Sequence, residues 1–249
     1  MEESEYEIMY DIESTYWWFR GKQFLIDMLL SNHLKGDRTN RALDIGAGTG
    51  STLEFLRKFG PAYGVEFSTV AIHMLRQRGL NSIVRSDAEN PIPFKSDAFS
   101  IVTCLDVLEH LENDSGLIEE MVRVCKPGGL ILITVPALRL LWSRHDEALH
   151  HKRRYTKKQL LNQVVSPRCS VLKASYFNVS LFAPIAAVRK LESLWKNDKE
   201  AKSDFFVPLP GWMNRFLYFL YTTELKFLRI ADFPFGVSIV LIIQKRKMG

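Results

Sequence analysis

The sequence predicts an α/β fold, a doubly wound and mostly parallel sheet, and three observations lead to that prediction. Apolar runs of strand length alternate with amphipathic stretches of helix length from residue 41 to 136, the pattern of buried parallel strands joined by helices. A glycine-rich segment, LDIGAGTG (43–50), closes the first apolar run. The 249 residues are 47% apolar and 24% charged, enough for one large domain with an appendage.

The alternation sets the order of the elements in the first half of the chain. Buried strands are predicted over 42–46, 62–67, 82–87, 99–106 and 129–136. Helices are predicted from 51 to 59, from the N-cap Ser68 to about 78, and from 114 or 115 to the turn at 126–129. Ligands in such sheets bind beyond the carboxyl ends of the strands, and the motifs described below follow those ends.

The rest of the chain predicts additions on both sides of this core. The predicted elements are a helix from 156, strands over 171–177 and 238–244, and helices near 181–196 and 211–230. We divide the chain into an N-terminal helical lid segment (1–40), a core in two pieces (41–177 and 237–249), and a helical insertion before the last strand (178–236).

Charge is distributed unevenly along the chain. Residues 1–136 carry a net charge of −7 and residues 137–249 carry +12. The basic half is either a solvated face or a surface for an anionic partner, such as a phosphate, a nucleic acid or a lipid headgroup. The acidic start has no apolar signal core, and Cys104, Cys125 and Cys169 lack metal-ligand spacing. We therefore expect a reduced, cytoplasmic setting, with peripheral membrane contact as an option.

The glycine segment differs from the dinucleotide fingerprint G-x-G-x-x-G. Gly46, Gly48 and Gly50 are spaced G-x-G-x-G, one residue short. Glu66 ends the second predicted strand, and its two oxygens suit both hydroxyls of an unphosphorylated ribose. Asp87 ends the third predicted strand, where it can meet an adenine edge. The ordered set predicts a nucleoside ligand.

With these residues the chain resembles the class I S-adenosylmethionine-dependent methyltransferases. The segments that carry the resemblance are LDIGAGTG (43–50), GVEFS (64–68), SDAENPIPF (86–94), FSIVTCLDVLEHL (99–111) and KPGGLILITVP (126–136). The resemblance implies a seven-stranded, Rossmann-like sheet and S-adenosyl-L-methionine as the cofactor, with S-adenosyl-L-homocysteine as the product. It also implies that the glycine loop holds the amino acid part of the cofactor, with no pyrophosphate.

Carried onto this chain, the family's motifs give a set of cofactor-binding candidates. They are Trp18, Arg20, Asp44, Gly46, Ala47, Gly48, Gly50, Glu66, Phe67, Ser68, Asp87, Ala88, Leu105 and Asp106. Asp44 can instead support the loop from below by accepting from turn amides. The aromatic run at 16–19 can instead be core, but ring faces also attract a sulfonium and Arg20 can meet a carboxylate.

The acceptor chemistry is sought in WSRHDEALHHKRRYT (142–156), which follows the fifth strand. If this stretch is helical, Asp146 and His150 share a face and can orient a neutral base. The candidates are, for catalysis, His110, His145, Asp146 and His150, and, for substrate, His151, Arg154 and Tyr155. These groups can instead cap and staple a loop. No metal-ligand set of recognised spacing is present, so no metal is predicted.

The predicted function is methyl transfer to a small or lipid-like acceptor that can be anionic. Alternatives are a nicotinamide oxidoreductase and a non-catalytic module that binds S-adenosylmethionine. Nucleic acid is disfavoured as an acceptor because LDVLEH stands where an Asn/Asp-Pro-Pro-aromatic stretch would be expected. The segment 211–230 has three interpretations, namely a substrate lid, a homodimer interface and a membrane-surface element. Its charge-free run, 216–223, is too short to span a bilayer.

Overall fold

The computed structural model describes residues 3–34, 40–164, 167–194 and 208–247. Seven strands form a single sheet: β1 Ala42–Ile45, β2 Ala62–Glu66, β3 Ile83–Arg85, β4 Phe99–Leu105, β5 Cys125–Pro136, β6 Cys169–Phe177 and β7 Ser238–Lys245. The helices are α1 Glu3–Ile12, α2 Trp17–Ser31, α3 Ser51–Leu56, α4 Thr69–Gln77, α5 Asp114–Val124, α6 Arg144–Ala148, α7 Lys157–Val164, α8 Phe182–Leu194 and α9 Gly211–Leu228.

The strand order is β3-β2-β1-β4-β5-β7-β6. Only β7 runs antiparallel to its neighbours, β5 and β6, and the other pairs are parallel. The prediction of a doubly wound, mostly parallel seven-stranded sheet is confirmed. The central strands are covered on both faces, which is why they are apolar without alternation.

Several boundaries differ from the predictions, and two of them have clear local reasons. The helix predicted over 51–59 ends at Leu56, and a 3-10 turn, Arg57–Phe59, completes it. The strand predicted from 129 begins at Cys125, because Phe99 pairs with Cys125 while Ile101 pairs with Leu130. Residues 126–129 therefore bulge out of the ladder, and Gly128 provides the positive φ of 82° for that excursion.

The two ends of the chain pack together to cover one face of the sheet. Trp17 of α2 is buried and lies edge-on to Tyr221 of α9, with 5.7 Å between ring centroids. Gly21 permits this approach, since a Cβ there would lie 2.0 Å from the Tyr221 ring. Part of the aromatic run is therefore core. Among the helices that the structure describes, none combines the length and apolarity needed to cross a membrane.

Candidate functional site

A cavity of about 880 Å³ opens at the carboxyl ends of β1, β2 and β4. Its walls come from the glycine loop, the strand ends, the N-terminal helices α1 and α2, and the helix α8 of the insertion. This volume is near the upper end for small-molecule sites, so it has room for a cofactor and an acceptor together.

The glycine loop turns the chain away from β1 through three residues with positive φ, Gly46 at 73°, Gly48 at 53° and Gly50 at 104°. The amides of Gly46 and Ala47 donate to the Val65 carbonyl at 2.9 and 3.1 Å. The Gly48 amide donates to Glu66 Oε2 at 2.8 Å. These three donors are thus used within the protein and do not converge on an outside anion.

The Glu66 carboxylate is held in place by main-chain amides at the end of β2. Its Oε1 accepts from the amides of Phe67 and Ser68 at 2.9 and 2.8 Å, opposite the Gly48 bond to Oε2. Oε1 already accepts two amides, whereas Oε2 accepts only one and retains acceptor capacity, and the group lines the cavity. A preset, cavity-lining carboxylate is suited to accept a hydrogen bond from a ribose hydroxyl.

Another carboxylate of the protein takes the position at the start of α3 where a dinucleotide would place its pyrophosphate. Glu13 accepts from Thr49 Oγ1 at 2.8 Å and from the Ser51 backbone, and it pairs with Arg78. Burial raises the pKa of Glu13 to about 7. The helix N-terminus that binds pyrophosphate in dinucleotide folds is therefore already filled, which weighs against the nicotinamide alternative.

Helix α1 lies over the glycine loop and the end of β2. The Met9 methyl group would be 3.3 Å from a Cβ at Gly48. The Tyr6 hydroxyl bonds Ser68, and burial together with the nearby Glu66 charge raises the pKa of Tyr6 to about 12. Glu5, Tyr6 and Met9 thus cover the part of the cavity that adjoins Glu66.

Asp106 follows β4 with an unusual positive φ of 57°. It pairs with Lys22 and accepts from Thr134 Oγ1 at 3.0 Å. Despite desolvation, the Lys22 charge keeps the pKa of Asp106 below its ordinary value. The pair is a fixed polar group in the cavity wall beside Leu105.

A second polar network follows β5 and centres on Asp146. Its Oδ1 lies 2.9 Å from His151 Nδ1 and accepts from Arg154 Nε at 2.7 Å, while Oδ2 caps its own helix at the Ser143 amide. These bonds outweigh desolvation and lower the pKa of Asp146. The predicted Asp146–His150 pair does not form, because α6 ends at Ala148 and His150 is exposed with a φ of 56°.

Three residues at the base of the cavity bring potential metal-ligand atoms together. One such atom from each of Glu109, His110 and His151 lies within 4.8 Å of the others. Glu109 is fully buried and neither of its carboxylate oxygens has a hydrogen-bond partner. Burial raises the pKa of Glu109, and it lowers that of His110 to about 4.

Most of the predicted site residues share this cavity. Those in its lining are Trp18, Gly46, Gly48, Glu66, Phe67, Asp87, Ala88, Leu105, Asp106, His110, His145, His151 and Arg154. Eight predicted residues do not line it: Arg20, Asp44, Ala47, Gly50, Ser68, Asp146, His150 and Tyr155. Of these, Asp44 accepts from Thr103 Oγ1 at 2.6 Å below the loop, in the supporting position considered for it.

Three of the eight lie away from the roles predicted for them, namely His150, as described above, Arg20 and Tyr155. Arg20 is exposed and stacks on Tyr218 at 4.5 Å, since helical spacing turns it away from the face that carries Trp18. Tyr155 is buried and donates to Asp114 Oδ2 at 2.7 Å, so its hydroxyl serves the core.

Several residues of the site were not identified from the sequence. They are Tyr6, Met9, Glu13, Lys22 and Glu109. Lys22 follows Trp18 by four residues on one helix face, and Glu109 lies inside LDVLEH, so the sequence pattern could have predicted both. It could not have predicted Tyr6 and Met9, because their role depends on where α1 packs.

Comparison with known proteins agrees with this geometry. A methyltransferase domain family model matches residues 43–133. The ubiquinone/menaquinone biosynthesis C-methyltransferase UbiE of Pseudomonas aeruginosa is 32% identical over 158 residues, covering 57% of this chain and 59% of UbiE. The chain spans 44% to 59% of the length of the curated relatives it matches.

Solved structures share the fold at low sequence identity. A chain in the complex between the Haloferax volcanii Trm112 methyltransferase activator and a methyltransferase aligns with a TM-score of 0.61 at 15% identity, over 99% of this chain and 95% of that chain. An S-adenosylmethionine-dependent methyltransferase from Archaeoglobus fulgidus aligns with a TM-score of 0.53 at 21% identity, over 88% and 91%. These likenesses establish the fold.

Proposed function

We propose that this chain, which matches a methyltransferase domain family model over residues 43–133, transfers a methyl group from S-adenosylmethionine to a small, lipid-like acceptor. The observation that carries the proposal is the Glu66 carboxylate, which is preset by three amides and faces the cavity. It would accept from the ribose hydroxyls through Oε2, with Asp87 and Ala88 beside the adenine. The methionyl part would lie along Gly46 and Gly48, under the α1 lid.

The transfer itself needs alignment more than a dedicated catalytic group. An electron pair of the acceptor forms a bond to the methyl carbon while the carbon–sulfur bond breaks, and the electron pair of that bond stays on sulfur. The proton that the acceptor oxygen or ring carbon carried is released to solvent. Because the sulfonium is already activated, the cavity contributes by holding the acceptor in line and excluding water.

The acceptor half of the cavity favours an apolar molecule. Its lining includes Leu181, Ile185 and Val188 from the α8 region and Leu217 from α9. The same helix α9 presents Trp212, Phe216 and Phe219 to solvent, at exposures of 63%, 55% and 66%. A membrane-embedded acceptor would satisfy both the apolar cavity and the exposed apolar helix.

The basic residues of α9 and the similarity to UbiE also support a lipid-like acceptor. Arg215 and Lys226 are exposed beside the aromatic stripe of α9, and basic groups next to apolar ones are the signature of helices that lie on anionic membranes. The relative UbiE is named for ubiquinone/menaquinone biosynthesis. We therefore propose an aromatic acceptor, a phenol or quinol with an isoprenoid tail.

Methyl transfer from tritium-labelled S-adenosylmethionine tests the proposal. The acceptor is a prenylated phenol in anionic phospholipid vesicles, and the readout is label in the organic phase. We expect transfer by the wild type, a loss of at least about 100-fold in Glu66→Gln, and little change in Glu119→Gln, which alters an exposed carboxylate on α5. Absence of transfer by the wild type, or equal transfer by Glu66→Gln, would overturn it.

A further inference from the structure

The cluster Glu109–His110–His151 is the feature of the cavity that the proposed cofactor does not use. Glu109 is fully buried, lies in the cavity wall, and has two carboxylate oxygens without a hydrogen-bond partner. A buried carboxylate that lacks donors is costly unless a proton or a cation compensates it. Two imidazoles beside it supply ligand atoms of another type, and the charges of Lys22 and Arg154 also act on it from nearby.

The hydrogen bond to Asp146 fixes the orientation of the His151 ring. Asp146 accepts from Nδ1 of His151 at 2.9 Å, and because a carboxylate only accepts, Nδ1 carries the proton. The lone pair therefore lies on Nε2, which is 4.0 Å from Glu109 Oε1. A carboxylate that orients a histidine in this way is the usual second partner of a metal-bound imidazole.

His110 completes the set on the same side of the cavity. Its ring lies 4.8 Å from that of His151, at 74° to it, and hydrogen-bonds the His150 backbone. One ring nitrogen thus faces a carbonyl and the other is left as an acceptor. Atoms that share one ion lie about 3 to 4 Å apart, so small side-chain rotations bring the three donors, all within 4.8 Å, onto a common centre.

We propose that Glu109, His110 and His151 bind a divalent transition-metal ion whose remaining coordination positions face the acceptor. Two imidazoles and one carboxylate suit Zn²⁺, Mn²⁺, Fe²⁺ or Co²⁺ better than Mg²⁺ or Ca²⁺. Asp106 is three residues away but is already paired with Lys22, so it is not part of the set.

In the proposed methyl transfer, the ion would bind the hydroxyl oxygen of the acceptor. In this respect the inference rests on the proposed function. A hydroxyl oxygen bound to the metal has a lowered pKa and loses its proton to solvent. The resulting oxyanion then forms the bond to the methyl carbon as the carbon–sulfur bond breaks. If the ring carbon that it activates forms this bond instead, the hydrogen on that carbon leaves as a proton and the oxygen regains one.

Cobalt binding tests the site without any requirement for turnover. The protein is dialysed against a chelator, and Co²⁺ is added while visible absorption and calorimetric heat are recorded. We expect one equivalent of Co²⁺ bound by the wild type, at least about 100-fold weaker binding in Glu109→Gln and in His110→Gln, and unchanged binding in His73→Gln, which alters an exposed histidine on α4. Thermal melting of each variant verifies that it is folded.

No stoichiometric Co²⁺ binding by the wild type would overturn the inference, as would unchanged binding in both folded site variants. S-adenosylhomocysteine is titrated into the same wild-type sample. Nucleoside binding without cobalt binding leaves the proposed function standing and removes the metal site. Cobalt binding without nucleoside binding does the reverse.

Discussion

Gly48 combines two properties that a side chain would disturb. It has a φ of 53°, and its amide donates to Glu66 Oε2 at 2.8 Å. A Cβ at this position would meet only the flexible end of Met9, at 3.3 Å, so sterics alone would be tolerated. The requirement at Gly48 comes from the backbone conformation and from its place beside the proposed ligand.

Gly48→Ala should therefore lose both stability and ligand affinity. A left-handed non-glycine residue costs roughly 1–2 kcal/mol, and the altered backbone also shifts the support of Glu66. Gly79→Ala is the matched control, since Gly79 has a φ of 75° and nothing within 4 Å of its Cβ position. Chemical denaturation should give a similar loss for both variants. The affinity for S-adenosylhomocysteine, measured by calorimetry, should fall only for Gly48→Ala. Equal affinities of the two variants would contradict this role of Gly48.

Glu13 is the residue whose charge state links α1 to the glycine loop. Burial raises its pKa to about 7 from an ordinary value of 4.5, so the folded protein holds this proton more tightly than the unfolded chain does. The associated stability is fully present below about pH 4.5 and is lost as the pH rises through about 7.

Glu13→Gln should remove this pH dependence. We expect the free energy of unfolding of the wild type, relative to the variant, to fall by on the order of 2–3 kcal/mol between pH 4.5 and 7.5. Urea denaturation across this range provides the measurement, and Glu119→Gln serves as the control with a pH-independent difference. A wild-type advantage that grows with pH would show that the Arg78 pair dominates over burial.

The sequence identified residues best where strand order alone places them. Glu66 is the last residue of β2 and Asp87 lies just beyond β3, and any parallel sheet brings such positions to one edge. His151 was expected at the site, but its partnership with Asp146 was assigned to His150, because the end of α6 at Ala148 has no clear signal.

At the scale of elements, α1 has the most direct consequence for ligand exchange. It packs over Glu66 and Gly48 through Tyr6 and Met9. Tyr6→Ala should raise the dissociation rate of S-adenosylhomocysteine, with about a 5- to 10-fold loss of affinity, because a lid acts mainly on escape. Stopped-flow displacement measures this rate. Ile8→Ala, on the exposed side of α1, should leave it unchanged, and equal effects of the two changes would argue against a lid.

Helix α9 has two faces with different partners. Tyr221, Leu225 and Leu228 are buried against α2 and the sheet, whereas Phe216 and Phe219 are exposed. Hydrophobic periodicity alone could not separate these faces, since the aromatic residues cover more than one side of the helix.

Phe216→Ser/Phe219→Ser should weaken binding to anionic vesicles by at least about 10-fold, because each aromatic side chain contributes more than 1 kcal/mol on burial. Cosedimentation gives the partition coefficient. Val171→Ser/Leu172→Ser, an exposed apolar pair on the edge strand β6, is the control. Vesicle binding that survives the α9 change, or is absent in the wild type, would contradict a membrane-facing α9.

At the scale of the whole molecule, the fold was predictable because apolar strands and connecting helices alternate with little interruption from 41 to 136. The position of the long insertion was also predictable, from the distance between the last two strands. The joint packing of α2 with α9 was not, since it unites segments about 200 residues apart and depends on the close approach allowed by Gly21. The roof of the site depends on tertiary placement in the same way.

The charge asymmetry also belongs to the whole molecule. The acidic first half contains Glu66 and Asp87, the proposed ribose and adenine contacts, and the basic second half, at +12, contains α8, α9 and the Arg154 network. Under the proposed function, this division would place the cofactor beside the acidic half and the acceptor beside the basic half.

One measurement tests the central claim most directly: calorimetric titration of the wild type and Glu66→Gln with S-adenosylhomocysteine and, separately, with NAD. We expect micromolar binding of the nucleoside thioether by the wild type, at least about 30-fold weaker binding by Glu66→Gln, and no heat with NAD. Binding of NAD, or nucleoside binding that does not depend on Glu66, would contradict the assignment of this cavity to S-adenosylmethionine.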